Sequence, residues 1–167
     1  MVTKRVEIFP EPQEVHWEDG KTLLDPKSAT VTVFIGTNGK SDLIDTALQL
    51  LKRRCGKDTS LNVLKLTWEN EWTVLVIRRD SERELDAERI LILSSSLQGT
   101  EAQGYTIDIS EGNIYIASQS TVGLLYGTIT VTQLIKVEDG KIIIPNVSMR
   151  DWPDYKYRGV FEESYTG

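Results

Sequence analysis

The chain has 167 residues, the length of one domain with a tail. Lys plus Arg number 19 and Asp plus Glu 25, giving a net charge of −6, and the basic residues are scattered, which argues against a nucleic-acid binder. One cysteine forbids an internal disulfide, one histidine excludes metal sites built on paired imidazoles, and no apolar run reaches the length of a membrane span.

The N-terminus has no apolar signal core, and the compartment stays open. Pro10 and Pro12 impose extended geometry on residues 7–15. Asp19-Gly20 carries a turn signal. Residues 30–35 are β-branched and read as a strand ending at Gly36. After Asn38-Gly39, Ser41 is the expected N-cap of a helix with an apolar stripe through Leu43, Ile44, Ala47, Leu48 and Leu51, closed by Lys52-Arg53-Arg54 and Gly56. Cys55 sits on that helix and is expected as a small packed residue, not a nucleophile.

Residues 61–67 and 72–78 read as strands. Residues 80–89 are strongly charged, a loop or a short exposed helix, and Ile90 to Leu93 is a short apolar run. A hairpin follows, 104–110 and 114–118 about a turn at Glu111-Gly112-Asn113, with Tyr105, Ile107 and Ile109 on one core-facing side. Ser120 or Thr121 caps a helical pattern running to Val137, rich in Thr and Val and therefore dependent on tertiary packing. Gly123 and Gly127, four apart, imply close approach of the sheet or the chain. Asp139-Gly140 turns, 141–144 is a short strand, and Pro145 ends it. The order predicts an α/β (α+β) fold, a mixed sheet with about two helices on one face and an extended C-terminal tail.

Three segments in this order resemble a known family. They are Ile8-Phe9-Pro10-Glu11-Pro12-Gln13-Glu14-Val15; Gly104-Tyr105-Thr106-Ile107-Asp108-Ile109 with Gly123-Leu124-Leu125-Tyr126-Gly127-Thr128; and Met149-Arg150-Asp151-Trp152-Pro153 with Tyr157-Arg158-Gly159. Together they resemble the zincin-like N-terminal domain of β-N-acetylhexosaminidases of glycoside hydrolase families 20 and 84. The resemblance implies that residues 1–150 form this non-catalytic domain. Residues 151–167 would then be a linker and the first strand of a (β/α)8 barrel that lies beyond the chain.

The tail is similar to the first barrel strand of family 84, Arg-Gly-x-x-Glu-Gly-Phe-Tyr-Gly, here Arg158-Gly159-Val160-Phe161-Glu162-Glu163-Ser164-Tyr165-Thr166. Glu163, Ser164 and Thr166 depart from that pattern, which puts the sugar subsite in doubt. The resemblance implies substrate-binding roles for Arg158, Glu162 and Tyr165 once a barrel is present, and no catalytic residue within the chain. It also implies a substrate-assisted mechanism in which the sugar's acetamido oxygen attacks the anomeric carbon while an acidic pair in the barrel orients the amide and moves the proton. The implied partners are the barrel and, through it, a carbohydrate; no cofactor, metal, nucleic acid or membrane is implied.

Two other readings are open to the sequence. A stand-alone glycan- or protein-binding module would need its own surface. A nucleotide loop at Gly36-Thr37-Asn38-Gly39-Lys40-Ser41 would use Gly39, Lys40 and Ser41 against phosphate and Mg²⁺, but the first glycine of the full spacing falls on Phe34. His16 is expected on the surface or an edge strand. Glu162 and Glu163 point to opposite faces of a strand, so at most one faces a sugar. Trp17, Trp68, Trp72 and Trp152 are expected in core or interface rather than as a sugar platform.

Overall fold

The computed structural model describes residues 6–37, 39–56, 61–79, 84–96 and 102–154. Their elements are β1 (Glu14–Leu24), β2 (Thr30–Ile35), α1 (Ser41–Cys55), β3 (Asn62–Thr67), β4 (Thr73–Arg78), α2 (Ala87–Ser95), β5 (Tyr105–Ser110), β6 (Asn113–Ser118), α3 (Thr121–Leu134), β7 (Lys136–Glu138) and β8 (Lys141–Asp151). One mixed sheet runs in the order β1-β8-β5-β6-β4-β2-β3, with β7 paired to β8. Among the described strands only β2 and β3 are parallel, joined by the α1 crossover that parallel pairing requires.

Alternation along the strands divides the core in two. Val31, Val33, Leu75, Ile107, Ile114 and Ile116, all fully buried, face α1 and α3, which contribute Ile44, Leu51, Leu124 and Val131. The opposite face carries Val74, Val76, Tyr115 and Ala117, covered by Ile90 and Leu93 of α2. Two helices on one face match the expectation; the third, on the other face, takes in the last three residues of the charged stretch and the apolar run. Asp86 caps it, its carboxylate accepting the Arg89 amide at 2.9 Å. Ile90 and Leu93, three apart, share its buried side. A four-residue apolar run carries no period by which to tell helix from strand.

Four local expectations fail for identifiable reasons. Asp19-Gly20 is a bulge inside β1, not a chain reversal. The β1–β8 register shifts between Trp17 and Lys21, Gly20 has φ +95°, and Asn146 donates to Asp19 O at 3.2 Å. Pro145 does not end its strand: it pairs with Lys21 where β7 has stopped pairing with β8 and β5 has not begun, a gap that tolerates a missing N–H. The last helix stops at Leu134, because Lys136–Glu138 turns back through Asp139-Gly140 (φ +51° and +73°) onto β8. The N-cap of α1 is Lys40, with no side-chain capping bond. Ser41 is already helical, and its side chain lies outside the described residues.

The glycines of α3 serve packing. A Cβ on Gly123 would collide with Ser118 Oγ and stand 2.6 Å from Gly104 O. On Gly127 it would stand 2.6 Å from Ile116 Cγ2 and 3.2 Å from the Tyr105 ring. The bare flank seats α3 directly on the β5–β6 hairpin. Ser120 is the cap, accepting from the Gly123 amide at 3.0 Å.

Candidate functional site

Arg158, Glu162 and Tyr165, the residues assigned to sugar binding, lie outside the described residues, as does Asn38 of the Gly36–Ser41 loop. In that loop three backbone amides are already engaged: Gly36 N–H donates to Thr73 Oγ1 at 3.2 Å, Thr37 N–H to Asn70 O at 2.8 Å, and Gly39 N–H to Gly36 O at 2.9 Å. A Cβ on Gly36 would stand 2.6 Å from Trp72 O. The glycine is there for the β3–β4 turn that packs on it, and these three amides are spent on the protein's own acceptors. Lys40 remains exposed.

The side of the domain where β8 ends is more organised. Helix α3 has no charged residue in its 14 positions. An amphipathic surface helix would set charges opposite its buried stripe; here the outward positions hold Tyr126 and Ile129, 37% and 39% exposed. Phe9, 87% exposed, stands nearby, its amide donating to Gln133 Oε1 on α3 at 2.9 Å. Between α3, the N-terminal segment and the residues after β8 lies a groove of about 490 Å³, with Pro10, Tyr126, Ile129 and Trp152 among its apolar walls.

Polar contacts hold the segment before β1 against the end of β8 along this groove. Asp151 Oδ1 accepts the Gln13 amide at 3.1 Å, and Asp154 Oδ1 accepts from Gln13 Nε2 at 2.9 Å. Turned to the other sheet face, Arg150 donates to Glu14 Oε1 at 3.0 Å and to Ser96 O at 2.7 Å, while its guanidinium lies 5.1 Å over the Trp152 ring. Beneath the groove the Tyr105 hydroxyl meets Thr130 Oγ1 at 2.6 Å. Burial pushes that phenol far above the usual tyrosine range, with Asp151 acting in the same direction and the Thr130 bond against it. The groove's base is therefore a neutral hydroxyl pair.

On the other sheet face, Arg89 forms a bidentate pair with Asp108, at 2.9 and 2.7 Å, also donates to Ser110 Oγ, and lies 5.0 Å over the Tyr115 ring. Burial alone would lower the Arg89 pKa; the Asp108 bond and charge outweigh it and raise it. Sequence reasoning missed this pair, because residues 84–89 and 108 meet only when α2 forms. It also missed the α3 face, although an uncharged 14-residue helix is a visible signal. Trp68 and Trp72 pack together at the edge of the α2-side core: Trp68 Nε1 donates to Trp72 O at 2.6 Å, and Phe34 packs 5.3 Å from the Trp68 ring. Trp17 packs at the edge of the α1/α3 core. His16 is exposed on edge strand β1. Cys55 is buried, and burial holds its thiol up at about 11 against the lowering effect of Arg54. No cluster of His, Cys, Asp and Glu suited to a metal occurs among the described residues, and none of their helices is long and apolar enough to cross a membrane.

A mixed sheet with a helix pair on one face and an uncharged helix surface beside the end of its last strand defines an α+β domain. The family model for glycosyl hydrolase family 20, domain 2, matches residues 5–152, and the chain belongs to that family. Solved structures share the fold. CpGH84B matches with a TM-score of 0.61 at 20% identity, over 97% of this chain and 26% of its own. The Flavobacterium johnsoniae chitobiase matches at 0.55 and 20%, over 89% and 21%. The β-N-acetylhexosaminidase of Bacteroides fragilis matches at 0.56 and 16%, over 90% and 25%. The chain thus spans about a quarter of the length of these proteins.

Proposed function

We propose that the domain is a non-catalytic brace for a glycosidase barrel in a longer polypeptide. That longer protein would act on glycans containing N-acetylhexosamine, with the substrate-assisted, retaining chemistry carried by acids of the barrel. The observation that supports this reading is the outer surface of α3. Tyr126 and Ile129 lie on a helix without a single charge, next to the Asp151-Trp152-Pro153 exit from β8. Covering such a surface is favourable by about 25 cal/mol per Å² of apolar area, and a body tethered at residue 151 is held beside it at high effective concentration. Residues 1–150 would be the brace and 151–167 the connection. Within the barrel Arg158, Glu162 and Tyr165 would meet the sugar, the guanidinium of Arg158 suiting several hydroxyls at once.

The test is a hexosaminidase assay on the 167-residue chain with a chromogenic N-acetylglucosaminide. Background hydrolysis is expected, and turnover by this chain alone would overturn the reading. In the longer protein, Arg158→Ala should raise KM for the same substrate, and an unchanged KM would remove Arg158 from the sugar site.

A further inference from the structure

The sheet face that carries α2 points away from α3 and holds a second groove, of about 770 Å³, between α2 and strands β1, β8 and β5. Its volume falls within the roughly 300–1,000 Å³ range of small-ligand clefts. Pairing across the three strands sets its floor in two rows. Glu14, Arg150 and Thr106 stand opposite one another in the first, and His16, Ser148 and Asp108 in the second. Every side chain in both rows is polar, on a sheet whose other face is an apolar core.

The charges of this floor cancel in pairs. Arg150 faces Glu14 at 3.0 Å, and Asp108 is gripped by Arg89 of α2 at 2.7 Å. Thr106 Oγ1 donates to Leu93 O at 3.2 Å, which leaves its lone pairs to accept. The Ser148 hydroxyl and the His16 imidazole have no side-chain hydrogen bond to any described residue, and Nε of Arg150 is buried without a hydrogen-bond partner. Ile92, 59% exposed, adds an apolar wall on α2. Donors and acceptors therefore alternate at strand spacing, with no net charge and one apolar side. A free phosphate or an acidic peptide would meet a carboxylate beside each guanidinium, whereas an apolar ligand would strand the polar floor. A neutral polyol with both hydroxyls and C–H faces satisfies both conditions.

We propose that this groove binds a short neutral oligosaccharide, separately from any barrel. The choice of an acetamido sugar as one probe rests on the function proposed above; the groove chemistry itself does not.

The experiment is a two-dimensional amide NMR titration of the 167-residue chain with tri-N-acetylchitotriose, with cellotriose, and with inorganic phosphate. At least one trisaccharide should give saturable shifts, with a Kd of about 1 mM, at residues 14–16, 92–96, 106–108 and 148–150, while phosphate gives none there. Absence of saturable shifts in these segments with both trisaccharides, or shifts there with phosphate alone, overturns the proposal. Ser148→Leu, which fills the second row, should weaken binding at least about tenfold, a loss of about 1.4 kcal/mol. His16→Ala, on the exposed edge strand, provides a second variant should Ser148→Leu not fold, and should weaken binding about threefold. Wild-type affinity in the folded variants also overturns it. Neither failure bears on the bracing role, whose surface lies on the opposite face and is read by separate amides of α3.

Discussion

Gly127 and Ile116 are in direct contact: a methyl group on Gly127 would stand 2.6 Å from Ile116 Cγ2. This contact, with its neighbour at Gly123, sets how deeply α3 sits on the hairpin, and hence where the outer face of α3 stands relative to the chain exit. At an exposed helix position Gly→Ala stabilises by roughly 1 kcal/mol. Here Gly127→Ala should instead destabilise by about 1–2 kcal/mol, since overpacking exceeds the helix gain. The drop in Tm should be several degrees by calorimetry. Gly123→Ala should be worse, because the atoms it meets include the backbone oxygen of Gly104. An unchanged or raised Tm in both variants would mean that α3 does not rest on these glycines.

Arg89 and Asp108 are the one bidentate ion pair among the described residues in which both side chains are mostly buried, 22% and 17% exposed. Arg89→Ala should cost about 2–3 kcal/mol, much of it the penalty of leaving Asp108 without its partner. In a double-mutant cycle with Asp108→Ala the double variant should lose clearly less than the sum of the singles. Strict additivity would show that the pair is not coupled.

Alkaline stability follows from two groups held protonated by burial. Cys55 is raised to about 11 from 9.0, and Tyr105 is raised further above its own ordinary value. In each case the folded state holds its proton more tightly than the unfolded chain. Their stabilisation is thus complete below the unfolded pKa and is lost as pH rises through the folded one. Denaturant midpoints should be unaffected by these groups near neutrality and should fall between pH 9 and 11 for Cys55. The Cys55 share is of order 2–3 kcal/mol. Cys55→Ala, less stable at pH 7 by about 1 kcal/mol, should flatten that limb. An equally steep limb in the variant would exclude the thiol as its cause.

Much of the fold was legible because its periods are strong. Residues 30–35 and the Tyr105–Ser118 hairpin are central strands rich in β-branched and aromatic residues, α1 buries one apolar stripe, and both signals survive in the sequence. The misses share another cause. Whether Asp19-Gly20 reverses the chain or bulges, and whether Pro145 ends a strand, depends on what lies alongside. Those partners are β8 for Asp19-Gly20, and β1, with the gap between β7 and β5, for Pro145. Helix α2 was obscured because its apolar run is too short to show a period. Of the candidate site, Asp151-Trp152-Pro153 stands out in the sequence, and β8 ends there. The groove beside it joins residues about 140 positions apart, Gln13 with Asp154, a closeness only the folded sheet creates.

The α3 surface allows a stability-neutral test of docking. Ile129→Asp, at a position 39% exposed, should change the Tm of the 167-residue chain by less than about 0.5 kcal/mol equivalent. In the longer protein it should separate the melting of this domain from that of the barrel. A single unaltered transition in the longer variant would place the contact elsewhere.

The bracing account is tested most directly by hydroxyl-radical footprinting of this chain alone and within the longer polypeptide. The account predicts that Phe9, Tyr126 and Trp152 react readily in the isolated chain and become protected in the longer one, while Leu64 and Leu91, exposed on β3 and α2, react equally in both. Unchanged reactivity of Tyr126 and Phe9, with protection appearing at Leu64 or Leu91 instead, would contradict it.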